Sequence, residues 1–475
     1  MKWLIAVCAL AFYSMQLLAD EKELVSAYLD KQQEKHAALA MQLWDLAELG
    51  YLETRSSALL QTSLKRAGFK VQTGIAGLPT AFVASYGEGK PVIGILAEFD
   101  ALPGISQSAS PVREALADKP NGHACGHHLF GAGSVAAALA VKHWMDRHDV
   151  KGTVRLYGTP AEEGGSGKVY MVRAGLFSDV DAVLHWHPGD RNAADPATSL
   201  ANKSARFTFT GISAHAAAAP HLGRSALDGV EAMNYMVNLM REHVPQEARM
   251  HYVITKGGEA PNVVPDHAQS YYYIRHPDAR TLLTIWDRVI ATAQAAAQGT
   301  GTEVDIEVMH GNHSLLPNEA LAQVMHANLV RVGGITYTQE EREFAQQISR
   351  SYLEATDYTG LESQVMPMAL EEGKGSTDVG DVSWNVPTTG LRTATWVPGT
   401  AAHSWQAIAA GGTSIGAKGM HVAAKTLAFT VIDLLRNPLL ISRATEEMRQ
   451  RRGSDFVYVP LLGDREPPLG YRLNQ

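Results

Sequence analysis

Cys125 and His127 stand two residues apart in Asn121-Gly-His-Ala-Cys-Gly-His-His128. One tight Gly-containing turn could present a thiolate and an imidazole to the same metal ion, and that donor pair suits zinc and its borderline neighbours. The segment reads as a loop feeding a helix N-terminus, a position that lowers a thiol pKa. Alone it is ambiguous, because a lone cysteine also serves as an inert core residue. Thr159-Pro-Ala-Glu-Glu-Gly-Gly165 sets two adjacent carboxylates in a Gly-rich turn. Neighbouring side chains on extended backbone point apart, so Glu163 can bind a metal while Glu162 faces a water as general base. A solvated acidic turn is the other reading. His185 and His187 share one face of a strand end, and His403 lies in the loop Pro398-Gly-Thr-Ala-Ala-His-Ser-Trp405. Cys125, His127, Glu163, His187 and His403 make five protein ligands. That is too many for one catalytic zinc and suits two metals sharing a bridging ligand.

The elements that must position these clusters alternate. Ala40 to Leu49 and Ser56 to Ala67 predict amphipathic helices. The continuous apolar run Pro91–Ala97 predicts a strand buried on both faces. Gly131 to Trp144 predicts a buried helix, Gly152–Gly158 a strand, Lys168 to Ala174 a helix and Ala182–His187 a strand. Such a βαβαβ rhythm implies a mainly parallel sheet flanked by helices, whose ligands gather beyond the carboxyl ends of the strands. Each polar cluster of this half falls at such an end. From about Ala201 the texture changes. Ala205–Thr210 and Ser270–Arg275 alternate as half-exposed strands, and Leu227 to Leu239 and Leu282 to Gln298 read as helices, which predicts a small α+β insert with an antiparallel sheet. The chain returns to the first domain near Asn312, with a helix starting at Pro317-Asn-Glu-Ala-Leu and another over Gly419 to Leu435.

At 475 residues the chain exceeds one typical core, so two domains are expected. A hydrophobic content of 45% with 19% charged residues excludes a disordered chain. The net charge of −8, with no basic run, gives nucleic acid nothing to bind. Lys2, the apolar run Trp3 to Ala19 and the charged Asp20-Glu-Lys-Glu23 read as an export signal covering residues 1–19. Ala19 suits the −1 position while Leu17 at −3 does not, and a short membrane anchor is the alternative, though the run is short to span. Cleavage would remove Cys8 and leave Cys125 as the sole cysteine. An exported protein with one cysteine cannot form an internal disulfide, so metal ligation gives that thiol a purpose. The expected location is periplasmic or secreted, without stable membrane insertion once the signal is gone.

Asn121–His128, Thr159–Gly165, Val180–Pro188, Gly211–Pro220 and Gly257–Arg275 resemble the signature blocks of the dinuclear metal aminoacylase and carboxypeptidase-type amidohydrolases. The likeness is to the branch whose bridging ligand is cysteine, which includes N-acyl amino acid and indole-acetyl amino acid hydrolases, and it covers nearly the whole mature chain. The resemblance implies an α/β catalytic domain with helices on both faces of a mainly parallel sheet, in two parts (20–202 and 313–475). An α+β lid and dimerisation domain (203–312) is inserted between them. It implies two divalent ions (Zn, Mn or Co), a bridging thiolate at Cys125, ligands at His127, Glu163, His187 and His403, and the base at Glu162. Counted from Asp181, the family's ligand histidine falls on His187 rather than His185.

Two departures stand out: His128 and Glu98 occupy places where the family commonly has Asp. Asp100 is expected to orient a ligand imidazole. His215, from the lid, would reach an active site across a dimer and hydrogen-bond the oxyanion of the tetrahedral intermediate. Asn262 and Arg275 would bind the substrate, Arg275 clamping an α-carboxylate with its planar fork; a surface salt bridge is the alternative for Arg275. The implied activity is hydrolysis of the amide bond of an N-acyl amino acid, with p-aminobenzoyl-glutamate or a related glutamate conjugate first and other N-acyl amino acids or dipeptides next. A homodimer is implied, or a heteromer with a related subunit. The residues leave two other classes open: a cysteine hydrolase with Cys125 as nucleophile, and a non-catalytic binding protein on the same scaffold.

Overall fold

The computed structural model describes residues 2–354 and 360–473, with side chains described from residue 20 onward. The expected leader, residues 1–19, therefore lies outside the described side chains. Among the described residues no helix is long and apolar enough to cross a membrane.

Strands β1 (Lys70–Thr73), β2 (Phe82–Glu88), β3 (Val92–Ala97), β4 (Gly152–Gly158) and β5 (Ala182–Gly189) come first. Then follow β6 (Ala197–Thr198), β7 (Ala201–Thr210), β8 (Arg249–Lys256), β9 (His267–His276) and β10 (Glu303–Asn312), and finally β11 (Glu371–Glu372) and β12 (Thr388–Ala394). The main sheet has the order β1-β2-β4-β3-β5-β12. Strands β4, β3, β5 and β12 run parallel, and β2 pairs antiparallel to β4. Every residue of β3 is buried, so both faces of the sheet are covered, as its unbroken apolar sequence requires.

Helices His127–Met145 and Ser414–Arg436 pack on each other and on this sheet, with the helix Lys2–Leu46 against both. The sequence reading placed a helix only over Ala40 to Leu49. The helix instead continues from the N-terminal side, because no Gly or Pro interrupts the chain before Gly50 and Val25, Leu29, His36, Leu39, Ala40 and Leu43 repeat on one buried face.

A second sheet takes residues 201–312 in the order β10-β7-β9-β8, all antiparallel. Helices Ala226–Met240 and Ala279–Thr300 cover it, capped by Ser225 and Asp278, whose side chains accept from the Asp228 and Thr281 backbone N–H groups. Phe207, Phe209, Val230, Met233, Tyr272 and Trp286 belong to a core of its own, separate from the core around β3. Strands β8 and β10 were not anticipated. In edge strand β8, Met250, Tyr252 and Ile254 do alternate, but only Met250 is fully buried, and the adjacent Val253 blurs the period.

Candidate metal centre

Three strand ends and one helix start converge on the carboxyl edge of the parallel strands. Gly126 caps the helix His127–Met145 at φ 78°, and a Cβ there would lie 2.6 Å from Pro188 Cβ. Both the positive φ and the close approach demand glycine. The result sets Cys125 just before the first helical turn and His127 inside it. Beyond β3, Glu98 and Asp100 follow directly. Beyond β4, the turn Thr159–Ser166 carries Glu162 and Glu163. Strand β5 delivers His185 and His187 on one face. His403 sits at φ 60° with its N–H donating to Ala124 O at 2.9 Å, which ties the late loop to the Cys125 loop.

The side chains meet in two triads that share Cys125. Ligand atoms of Cys125, His127 and His187 lie within 4.8 Å of one another, and so do those of Cys125, Glu163 and His403. Cys125 Sγ is 3.5 Å from His187 Nε2, and His403 Nε2 is 3.1 Å from Glu163 Oε1. A third grouping joins Glu98, His127 and Glu162, with Glu98 Oε2 3.1 Å from His127 Nε2. Glu98 Oε2, His127 Nε2 and Glu163 Oε1 are buried and have no hydrogen-bond partner. Buried carboxylate and imidazole atoms gathered this closely are costly to desolvate unless a proton or a cation lies among them. A cation at each triad would satisfy them, so the residues present fit a pair of metal ions.

The electrostatics agree. Burial would raise the Cys125 pKa, but the facing imidazoles of His187 and His127 reverse this and hold the thiol well below its ordinary value. Burial and the carboxylates of Glu98 and Glu163 push Glu162 well above the ordinary carboxylate range, and burial with the Cys125 charge raises Glu163. Contacts with Cys125 and Glu163 push His403 up to about 11. The proton affinity of His127 and His403 is raised, and bound cations would displace those protons.

Asp100 orients this set from behind. Its Oδ1 accepts from His127 Nδ1 at 2.9 Å and its Oδ2 from the Glu163 N–H at 2.9 Å. One buried carboxylate therefore aims Nε2 of one candidate ligand and fixes the backbone of another. Burial opposes its ionisation, yet these bonds keep its pKa below the ordinary value. Glu98, one of the departures from the family pattern, forms a buried ion-pair chain: Lys168 Nζ lies 2.6 Å from Glu98 Oε1 and 2.6 Å from Asp378 Oδ1. The sequence reading missed Lys168 and Asp378, which lie 210 residues apart; the signal available was Asp378 in its Gly375-Ser-Thr-Asp loop. His128 does not enter the site and instead bonds through Nε2 to Gly411 O at 3.1 Å.

A cavity of about 250 Å³ opens beside the cluster, lined by Glu162, His185, Ser376, Thr377, Arg392 and His403 among others. His185 lines it but joins neither triad; its ring lies over Gly390, where a Cβ would approach within 2.4 Å. Arg275 Nη1 donates to Ser376 Oγ at 3.2 Å, so the guanidinium touches a residue of the cavity wall without itself lining it. No carboxylate lies within ion-pair distance of it among the described residues, which removes the surface salt-bridge reading. His215 and Asn262 are not brought to this cavity within one chain. Both are exposed on the insert, where His215 Nδ1 accepts from the N–H groups of Ala217 and Ala218 and Asn262 O accepts from Ala216 N–H.

Residues 94–391 match peptidase family M20/M25/M40. The chain is 40% identical over 460 residues to one of the subunits of the p-aminobenzoyl-glutamate hydrolase of Escherichia coli, covering 91% of this chain and 96% of that protein. It is 30% identical over 437 residues to Xaa-Arg dipeptidase of Mus musculus, covering 89% of this chain and 90% of that protein. The fold is shared with an aminobenzoyl-glutamate utilization protein from Klebsiella pneumoniae, with a TM-score of 0.62 at 18% identity, over 87% of this chain and 98% of that one. It is also shared with a dinuclear metal-binding peptidase from Bacillus subtilis, with a TM-score of 0.58 at 17% identity, over 86% and 99%.

Proposed function

We propose a function from one premise: the chain belongs to peptidase family M20/M25/M40. It is a hydrolase of amide bonds, and its substrate is an N-acyl amino acid, with p-aminobenzoyl-glutamate or a related glutamate conjugate first. The observation that carries this reading is the pair of ligand triads sharing one thiolate. Two divalent ions (Zn, Mn or Co) would be held by Cys125 in common, with His127 and His187 for one and Glu163 and His403 for the other, and they supply Lewis acidity to the amide carbonyl and the attacking water.

The chain's own groups do the rest. Glu162 takes a proton from the water and passes it to the leaving amine. Its raised proton affinity, set by burial and by Glu98, suits a group that must first accept and then donate. Asp100 keeps His127 and Glu163 in register. Arg275, charged and without a carboxylate partner, receives the α-carboxylate of the substrate. His215 acts across a dimer on the developing oxyanion. Its position outside its own cavity and the exposed Ile212, Leu222, Tyr235, Val253, Ile254 and Val263 of the insert support this. A relative that is itself a subunit of its hydrolase supports a second arrangement, a heteromer with a related chain. Export with cleavage of residues 1–19 is proposed on the apolar run before Asp20; a mature N-terminus at Asp20 by peptide mapping would bear it out, and an intact Met1 would refute the cleavage and favour the membrane anchor.

The test is a hydrolysis panel of p-aminobenzoyl-glutamate, its aspartate analogue, other N-acyl amino acids and dipeptides, read as amine release. The highest kcat/KM is expected for a glutamate conjugate. Failure to cleave every linear amide in the panel would refute the reading.

A further inference from the structure

We infer that Tyr471 and Arg472, at the end of a C-terminal strap, are positioning residues that set the direction of the Glu163 side chain. The strap follows the helix Pro438–Arg452 and lies beyond the residues that match the family. The inference rests on the reading of Glu163 as a metal ligand.

The turn that carries Glu162 and Glu163 closes on two backbone hydrogen bonds of its own, Gly164 N–H to Glu162 O at 2.7 Å and Gly165 N–H to Ala161 O at 3.0 Å, but it holds unfavourable backbone conformations. Ala161 and Ser166 both sit at φ 57° and Gly164 at φ 89°, so two non-glycine residues adopt the left-handed conformation within six positions. Contacts from outside the turn help to hold that shape. Glu53 Oε1 accepts from the Ala161 N–H at 2.8 Å, Tyr51 Oη donates to Gly165 O at 2.6 Å, and Ser166 Oγ donates to Asn312 Oδ1 at 2.6 Å. At Glu163 the N–H is held by Asp100 and the carbonyl by the strap, which supplies Tyr471 Oη at 3.1 Å and Arg472 Nη2 at 2.6 Å. The two peptide planes flanking the Glu163 Cα are thus each pinned, which fixes φ and ψ and hence the Cα–Cβ direction. The Arg472 bond is charge-assisted and the stronger of the two donors.

Other residues make room for the strap and anchor it. A Cβ on Gly50 would lie 2.3 Å from Tyr471 Oη, and a Cβ on Gly311 would lie 2.8 Å from the Leu461 carbonyl carbon. Both glycines have backbones that pass too close to the strap for a side chain. Leu461 packs in the core of the insert and Leu462 in the main core, so consecutive residues join the two bodies. Lys203 Nζ donates to Leu461 O at 2.6 Å, and Arg465 reaches from the strap to Met309 O at 2.6 Å and Glu307 at 2.8 Å. The strap crosses β7 and β10 where the insert meets the main body and ends on the Glu163 carbonyl. Its placement there is therefore determined, not a loose end against the surface.

The experiment titrates Zn²⁺ into the metal-free full-length chain by calorimetry and measures kcat and KM on the best substrate. Tyr471→Phe keeps the ring against Tyr51 and removes only the hydroxyl. Arg472→Met removes the charged donor, and Arg472→Lys restores a cation. Loss of a group that orients a ligand weakens metal affinity about 10- to 100-fold. Arg472→Met should show this loss at one of the two sites, leave the other within threefold, and lower kcat with KM within twofold. Tyr471→Phe should show a smaller loss of the same kind, and Arg472→Lys should recover part of it. Metal affinities and kcat within twofold of wild type in both Tyr471→Phe and Arg472→Met would overturn the inference, whatever happens to the melting temperature. Wild-type protein that takes up no Zn²⁺ would instead overturn the assignment of the site, and the inference with it.

Discussion

Replacing Asp100 by Asn exchanges one oxygen for an NH₂ group at a residue that is 1% exposed, and the structure assigns it a large effect. Both carboxylate oxygens accept, one from His127 Nδ1 and one from the Glu163 N–H. The Glu163 N–H can only donate, so the single acceptor of Asn must serve it. The NH₂ then faces His127 Nδ1, which must become an acceptor and move its proton to Nε2, the nitrogen turned toward the metal cluster. The alternative flip leaves a backbone donor facing a donor. An unmet buried donor costs about 1–3 kcal/mol, and a lost orienting partner weakens metal binding about 10- to 100-fold. Asp100→Asn should therefore bind Zn²⁺ at least tenfold more weakly, and should be no better than Asp100→Ala, which opens space for a water to meet both donors. Calorimetric titration of the two metal-free variants reads this ordering. Wild-type metal affinity and activity in Asp100→Asn would refute the argument that one carboxylate orients both ligands.

Glu162→Gln should keep both metals and lose about 10²- to 10⁴-fold in kcat, the range for a general base, whereas Glu163→Gln should lose metal as well; elemental analysis separates the two, and equal metal loss would mean the roles are misassigned. His215→Ala should lower kcat about 10²-fold or more with metal retained. Mixing it with Glu162→Gln under verified subunit exchange should restore activity in a trans dimer, and no recovery would rule that arrangement out. Burial and the Asp100 charge raise Glu53 from 4.5 to about 8, so the folded chain keeps a proton that the unfolded chain releases. That contribution to stability is present below the unfolded pKa and is lost as pH rises toward the folded one. Metal-free protein should accordingly melt lower at pH 8 than at pH 5, and Glu53→Gln should reduce the difference; an unchanged profile in the variant would show that other groups carry it.

What could be read from the sequence was local. The apolar run of β3 has no polar break, so burial on both faces follows from composition. Cys125, Gly126 and His127 form one turn, and Glu162 and Glu163 are neighbours, so their chemistry shows in the string itself. His187 was separable from His185 only by counting from Asp181; in the structure His187 faces Cys125 while His185 packs over Gly390. The rest depended on distance in sequence. Lys168 meets Asp378, and Arg472 meets the Glu163 carbonyl, pairings across 210 and 309 residues that no periodicity announces. Strand β10 did alternate over Glu303, Val304, Asp305, Ile306 and Glu307, but its charged outer face hid a strand that is only half-buried over that stretch.

The central claim is that hydrolysis needs two metal ions held by ligand triads sharing Cys125. The most direct measurement strips the protein with a chelator, adds back Zn²⁺, Mn²⁺ or Co²⁺ in fractional equivalents, and follows cleavage of p-aminobenzoyl-glutamate alongside bound metal. A shared-thiolate pair of ions predicts no turnover in the stripped protein and activity that rises until two equivalents are bound. Full activity in metal-free protein, or saturation of both activity and binding at one equivalent, would contradict it.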